Sequence, residues 1–459
     1  MLCFDPLTDT MPGPAIRAWH LAEQLARSCQ VVLAGTAGAT RTSPVMDVRA
    51  VADPDLEALV GGVDAVFAPT SVVRRHPAVV ASGRPLCIDM YIPTHLENLE
   101  ALGQAGGEEH VAAVDHQVSG INEDLRNGDF FLCASERQRD FWLGSLASLG
   151  RLNPATYAAD PTLRNLIDVV PFGLDPEPPA EERGVLRRAF PGIGERDPVV
   201  IWGGGVYNWF DPLSLLRAVD RMRETRPDIR LVFLGMRNPN PGIPEMRVAT
   251  ELRAESDRRG LTGTHVFFND GWVPYDRRGA YLADADVAAS THLAHVETHF
   301  SFRTRVLDYL WAGLPMVLTG GDTLSDGIDQ AGLGITVGPA DPAAIAEAID
   351  RLLSDPPDRR AVRRYGAGFT WDRVAAPLVA FAARPRAAAD RDRRSQAAGG
   401  PGPEKPPAPT PAGGEPAPAE DPLEVSLVRL ARGSARRLSP RLRRLPGPVR
   451  RWGGRLLRR

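Results

Sequence analysis

The chain has 459 residues, 43 % hydrophobic and 24 % charged, the make-up of a globular protein with real cores and too long for a single small module. A balance of 54 Lys and Arg against 57 Asp and Glu leaves a formal charge of −3, which argues against a generally basic nucleic-acid binder. Only Lys405 is a lysine, so before it every phosphate clamp must be built from arginine or backbone amides. Cys3, Cys29, Cys87 and Cys133 show no metal-ligand spacing, which speaks against a zinc ribbon and fits a reducing cytosol. No basic, then apolar leader opens the chain, and no run of about 20 apolar residues follows. The expected location is cytoplasmic, and the tail described below adds the option of peripheral attachment to the inner face of the plasma membrane.

Short apolar runs alternate with helical patterns up to residue 384, the signature of an α/β fold with parallel sheets. Strands are predicted at 2–4, 31–35, 63–68, 86–90, 130–134 and 167–170, with a first helix over 13–28 where Ile16, Trp19, Ala22 and Leu25 recur at helical spacing. After Asp197 the pattern restarts, with strands at 199–202, 231–234, 266–268, 287–289, 315–318 and 335–337 and helices at 212–226, 245–259, 302–312 and 342–353. This predicts two Rossmann-like domains facing a cleft, residues 1–180 and 197–370, with a closing helix at 371–384. Ligands of such sheets bind outside the carboxyl ends of the strands. Beyond the closing helix, 385–421 reads as a disordered Pro/Ala-rich linker, for eight of the twenty residues 401–420 are proline. Residues 422–459 form a basic C-terminal tail with twelve arginines and one acid. The bland −3 therefore splits into a tail of +11 and a remainder of −14. Near an anionic membrane such arginines contribute about 1 kcal/mol each, whereas nucleic-acid binding is not expected, since Trp452 is the tail's one aromatic ring.

Three loops carry chemistry. Thr10–Arg17, TMPGPAIR, joins the first strand to the first helix, and Gly13 between two prolines sets a tight turn before a helix N-terminus. The loop reads either as a plain connection or as a cradle for a phosphate or sugar hydroxyl. Trp202–Asp211, WGGGVYNWFD, again leaves a strand for a helix, and its glycines, Gly204 and Gly205 among them, suit close approach of a diphosphate. Asn208 stands where G-x-G-x-x-G would need its last glycine, so a dinucleotide dehydrogenase is disfavoured. Glu297–Gly320 combines a loop acid (Glu297), Arg303, Thr304 and Arg305 at a helix opening, and Asp308 one turn on. Cations at a helix N-terminus oppose its dipole and call for an anion, either a pyrophosphate or an ion-pair network with Glu297 and Asp308.

These motifs resemble the GT-B glycosyltransferases of family 4. Asp308–Val317, DYLWAGLPMV, is similar to that family's acid followed by A-x-G-x-P-V-V. Val170–Asp175, VPFGLD, is similar to its P-x-G-V-D, and Gly271–Tyr275 with Tyr281–Asp286 to its base-binding segment and Y-x-x-A-D step. The likeness spans roughly 1–380. It implies transfer of a glycosyl group from a nucleotide-sugar to a glycan or lipid-linked acceptor, normally with retention and without metal or other cofactor, in cell-envelope or exopolysaccharide synthesis. Glu297 then holds the donor sugar, Arg305 acts in catalysis, Asp308 takes ribose hydroxyls, and Val273 contacts the base. The family's paired acids usually stand seven residues apart, against ten between Glu297 and Asp308, and its Arg and Lys after the first strand of the second domain are missing here. The clamp is therefore expected on Arg303 and Arg305, with Arg237 as a third cation. Acceptor candidates lie on the first domain: Asp89, given a catalytic role, then Tyr91, His95 and His116, with Glu97 beside them. An epimerase or phosphorylase on the same fold, or a non-catalytic scaffold subunit, are the alternative readings.

Overall fold

The computed structural model describes residues 1–102, 107–240 and 245–394, which pack as one compact unit. Its first half holds strands β1 (Leu2–Cys3), β2 (Val32–Gly35), β3 (Asp47–Ala50), β4 (Val66–Pro69), β5 (Leu86–Asp89), β6 (Phe130–Cys133) and β7 (Ile167–Val169). They pair in parallel in the orders β3-β2-β1 and β4-β5-β6-β7, with β1 lying against β4. The second half holds β8 (Val199–Gly205), β9 (Arg230–Gly235), β10 (Val266–Phe268), β11 (Val287–Ser290), β12 (Met316–Thr319) and β13 (Gly334–Val337), in the order β10-β9-β8-β11-β12-β13 and parallel throughout. Both orders reverse at a strand in mid-sheet, at β1/β4 and at β8/β11, where the diverging helices leave a crevice. This is the predicted two-domain α/β architecture, with one strand more: Asp47–Ala50 alternates charged and small residues at an exposed edge and carries no apolar run.

Continuous apolar runs such as Val199–Trp202, fully buried, mark strands covered on both faces. Helix Pro212–Met222 covers β8 and starts where the Asp211 carboxylate accepts the Ser214 amide at 3.0 Å. One apolar cluster runs through both halves, joining Leu132, Phe172 and Leu174 to Ile201, Val306 and Trp371. At the crossing, the Leu174 amide donates to the Phe369 carbonyl at 2.7 Å and the Trp371 amide to the Leu174 carbonyl at 3.1 Å. The predicted closing helix is two short ones, Trp371–Val374 and Ala376–Ala383, the second opened by Pro377 in its first turn. They return the chain to the first half, where Phe381 stacks on Phe130 at 5.0 Å.

The linker was expected to begin at 385, but residues 385–394 are docked on the first half. Asp390 and Arg151, each 1 % exposed, pair at 2.8 Å, and Arg391 and Arg394 reach the buried carboxylate of Asp129. Composition undervalued this stretch because its ordering comes from buried ion pairs instead of apolar burial. The remaining linker and the arginine tail lie outside the described residues. No helix among the described residues is long and apolar enough to cross a membrane. Removing one partner of a buried pair strands the other charge, so Asp390→Ala should cost about 3–5 kcal/mol, read as a lower midpoint in urea unfolding.

Candidate functional site

The triple glycine ends β8 at the switch point. Val199 to Trp202 pair in register with Arg230 to Phe233, and the register then slips so that Gly205 faces Gly235. Gly204 makes the slip with φ +76°, open to solvent, and a Cβ on Gly205 would meet the Tyr207 ring at 2.7 Å. Helix Thr304–Ala312 rises beside this turn. Its Tyr309 hydroxyl accepts from the Gly203 amide and donates to the Ala289 carbonyl, both at 2.9 Å, tying the ends of β8 and β11 together. The first turn of that helix carries no capping side chain, leaving amides available to an anion.

Arg305 sits in that first turn and is 7 % exposed. Its guanidinium lies 4.1 Å from the Phe210 ring centre and 4.4 Å from that of Trp202, and Nη2 donates to the Gly205 carbonyl at 2.7 Å. Among the described residues no carboxylate pairs with it, and its buried Nη1 has no partner. Burial pushes its pKa down to about 10. Arg303 is different. Nη1 and Nη2 donate to the two oxygens of Glu297 at 2.8 and 2.7 Å, with Glu297 1 % exposed and His295 3.6 Å from the same carboxylate. Arg303, expected as a clamp, and Glu297, expected to hold the sugar, thus satisfy each other in this structure. Thr304, half-buried, opens the helix.

The other predicted acids are also paired. Asp308 accepts from Arg278 Nε at 3.2 Å, while that guanidinium covers the Tyr275 and Trp311 rings and lies 3.7 Å from Asp175. Desolvation raises the Asp308 pKa against the pull of Arg278. Asp89, at the end of β5, takes Arg17 bidentately at 2.6 and 3.0 Å, and Arg17 also donates to the Pro171 carbonyl. Both oxygens of the Asp89 carboxylate, expected to act in catalysis, are thus engaged by Arg17. Tyr91 is buried under Arg17, and its hydroxyl donates to the Phe302 carbonyl at 3.4 Å across the cleft.

Five more of the expected residues are placed as follows. Asn208 accepts the Val248 amide at 3.0 Å, which engages its carbonyl at the opening of helix Arg247–Arg258. Val273 packs into the core, and its neighbour Trp272 instead lines a cavity of about 120 Å³ with Gly205, Tyr207, Gly235 and exposed Arg237. His95 stacks on Phe141 at 5.7 Å with Nδ1 unpartnered, and burial lowers its pKa. His116 stands exposed on helix Glu108–Asn127, where its carbonyl accepts from Arg74 Nη1 at 2.6 Å. Gly13 opens helix Gly13–Ala26, and a Cβ there would meet nothing within 4 Å.

Sequence reasoning missed Arg17, Arg278, Tyr207 and Trp272 as parts of the site. Arg17 lay in a motif already singled out, but its partner is 72 residues away. Glu97 was noted only in passing. It lies on helix Thr94–Leu102, which packs against helix Val296–Phe300 of the other half. Desolvation, and then the charge of Glu297, push its pKa up to about 8 against the pull of Arg303.

Residues 197–355 match the family model for group 1 glycosyl transferases. Two curated relatives are named D-inositol 3-phosphate glycosyltransferase. That of Stackebrandtia nassauensis is 27 % identical over 235 residues, 49 % of either chain, and that of Corynebacterium diphtheriae is 30 % identical over 200 residues, 41 % of this chain and 42 % of the relative. The matched region thus spans about half the length of these relatives or less. Among solved structures, Anabaena HepE in complex with UDP-glucose superposes with a TM-score of 0.60 at 14 % identity, covering 83 % of this chain and 98 % of HepE. WaaG, a glycosyltransferase involved in lipopolysaccharide biosynthesis, gives 0.59 at 14 % identity over 83 % and 99 %. Sucrose-phosphate synthase from Thermosynechococcus elongatus gives 0.54 at 16 % identity over 82 % and 93 %. The fold is that of the GT-B glycosyltransferases, and residues 197–355 are similar to the group 1 glycosyl transferases.

The raised pKa of Glu97 gives the cleft a pH signature. Folding favours the protonated carboxyl, so the stability it contributes is full below its ordinary pKa of 4.5 and is lost as pH rises through about 8. Glu97→Gln should flatten that decline, and thermal midpoints of the two proteins measured from pH 5 to pH 9 check it.

Proposed function

We propose that this protein transfers a sugar from a nucleoside-diphosphate sugar to a hydroxyl acceptor, with the diphosphate seated between Arg305, the glycine turn and the opening of helix Thr304–Ala312. The observation that carries the reading is Arg305: a buried guanidinium facing a carbonyl and two aromatic rings, with no carboxylate paired to it among the described residues. A protein keeps such a charge at a cost in stability, and an arriving diphosphate accepts the free Nη1 and removes the cost. The leaving group of glycosyl transfer is that diphosphate, so charge held ready there lowers the barrier to its departure. Arginine and amides supply this stabilisation without a metal, and a metal-independent, retaining course is part of the proposal.

UDP is the first nucleotide to test, since HepE was solved with UDP-glucose. The cavity bounded by Tyr207 and Trp272, beside Gly205 and Gly235, is the proposed seat of the base. The ribose would displace Arg278 from Asp308, and the sugar would face Glu297. A polyol or glycan acceptor would enter from the wall of Asp89 and Tyr91, and a lipid-linked acceptor of envelope synthesis accords with the tail. An anionic membrane surface as the partner of that tail rests on its +11 charge, and a cytoplasmic place on its inner face follows from the same reading.

The test is thermal stabilisation by UDP, GDP and TDP and their sugars. One of them should raise the midpoint, and Arg305→Met should weaken its binding by roughly 10–100-fold, the worth of a charge-assisted hydrogen bond. Because Arg305 is desolvated without an anion, the same substitution should leave the ligand-free midpoint unchanged or higher. A ligand-free protein that unfolds much earlier, with nucleotide affinity intact, would make Arg305 structural.

A further inference from the structure

Tyr275 is a residue of the second half buried in the first. It closes the segment Gly271–Tyr275, whose Trp272 lines the proposed seat of the base. Its ring lies in an apolar cluster whose other described members, Leu7, Met11, Trp19 and Leu33 among them, all belong to the first half. A hydroxyl buried to 6 % exposure is costly unless it is bonded, and its partner is His20 Nε2, 2.7 Å away on helix Gly13–Ala26. The His20 ring stacks on Trp371 at 5.0 Å, and its Nδ1 stands 2.8 Å from one carboxylate oxygen of Glu23, whose other oxygen accepts from Trp19 Nε1 at 2.8 Å. A carboxylate only accepts, so Nδ1 carries a proton, and Nε2 of the neutral ring accepts from the Tyr275 hydroxyl. The Tyr275 amide donates to the Asp9 carbonyl at 3.1 Å, a second tie to the first half.

The same ring carries Arg278. Its guanidinium lies 3.8 Å from the ring centre, Nη1 donates to the Tyr275 carbonyl at 3.1 Å, and Nε donates to Asp308 at 3.2 Å. Glu23, His20, Tyr275, Arg278 and Asp308 thus stand in one line of contacts that runs from the first half to the acid expected to take the ribose. We propose that His20 and Tyr275 are positioning residues of the nucleotide site, fixing from the first half where Trp272 and the Arg278–Asp308 pair stand when a nucleoside diphosphate arrives. This rests on the transfer reading above and adds that the second half alone does not complete the site. A phenylalanine ring would fill the cluster equally well, whereas a hydroxyl with one directional acceptor also fixes the depth and turn of the segment. The diphosphate end is held separately, by Arg305 on Trp202, Phe210 and the Gly205 carbonyl, so the dependence falls on the nucleoside end.

Binding of the nucleoside diphosphate that the panel selects is measured calorimetrically with the full-length protein. Tyr275→Phe, which keeps the ring under Arg278, and His20→Phe, which keeps a ring on Trp371, should each weaken binding roughly 3–10-fold, the worth of one hydrogen bond. The two together should lose no more than the weaker single variant, because they break the same bond. His20→Gln, with an amide oxygen to accept from the hydroxyl, should recover most of the affinity. In protein labelled with 15N at histidine, the nucleotide should shift the ring signal that His20→Gln removes. Unchanged affinity in both single variants overturns the proposal, as do losses that multiply in the double variant, a His20→Gln as weak as His20→Phe, or a His20 signal that the nucleotide leaves in place. If His20→Phe does not fold, Tyr275→Phe, smaller by one oxygen atom, and the His20 signal decide. Absence of binding by every nucleotide to the wild type would instead bring down the transfer reading on which the proposal rests.

Discussion

A positive charge buried with no paired carboxylate among the described residues organises the second half of this protein. The Arg305 guanidinium is held by the π faces of Phe210 and Trp202 and by one carbonyl, contacts that together offset part of its desolvation. Each support depends on another element. Phe210 lies in the loop after the glycine turn, Trp202 is fully buried in β8 with its indole donating to the Gly205 carbonyl at 3.2 Å, and Tyr309 locks helix Thr304–Ala312 to β8 and β11. The turn must therefore take a positive φ at Gly204 and leave Gly205 without a side chain, since a Cβ there would collide with Tyr207. The ring that crowds Gly205 also bounds the neighbouring cavity.

Around this cation the cleft balances its charges locally. Glu297 with Arg303, Asp308 with Arg278 and Asp89 with Arg17 are each pairs of a carboxylate and a planar fork, the form in which buried ions are tolerated. Among the described residues Arg305 is left without a paired carboxylate. The single lysine, well beyond these elements, makes arginine the basic partner at every one of these positions.

The strands were legible because parallel strands buried on both faces are nearly continuous apolar runs, and twelve runs marked twelve strands to within a few residues. Asp47–Ala50 escaped because an exposed edge strand has no such run. The site was legible as loops and residue types: the glycine turn, the arginines at a helix opening, and the acid after β5. Individual roles were less so. Nothing local distinguishes Arg303 from Arg305 two positions later: both guanidiniums lie over the Phe210 ring, and it is the fold that brings Glu297 to the first and Trp202 to the second. Trp272 in place of Val273 is the same kind of one-residue choice.

By itself, the sequence determined the two α/β halves, the switch-point loops, the charge segregation toward the C-terminus and the resemblance that named the fold, since period and composition are properties of neighbours along the chain. Pairing was decided only in three dimensions. Asp89 meets Arg17 across 72 positions and Arg151 meets Asp390 across 239, and whether a given ion is spent or available depends on which partner the fold brings within about 3 Å. A buried charge is governed by its nearest counter-charge and by the water excluded from around it, and both are set by tertiary packing.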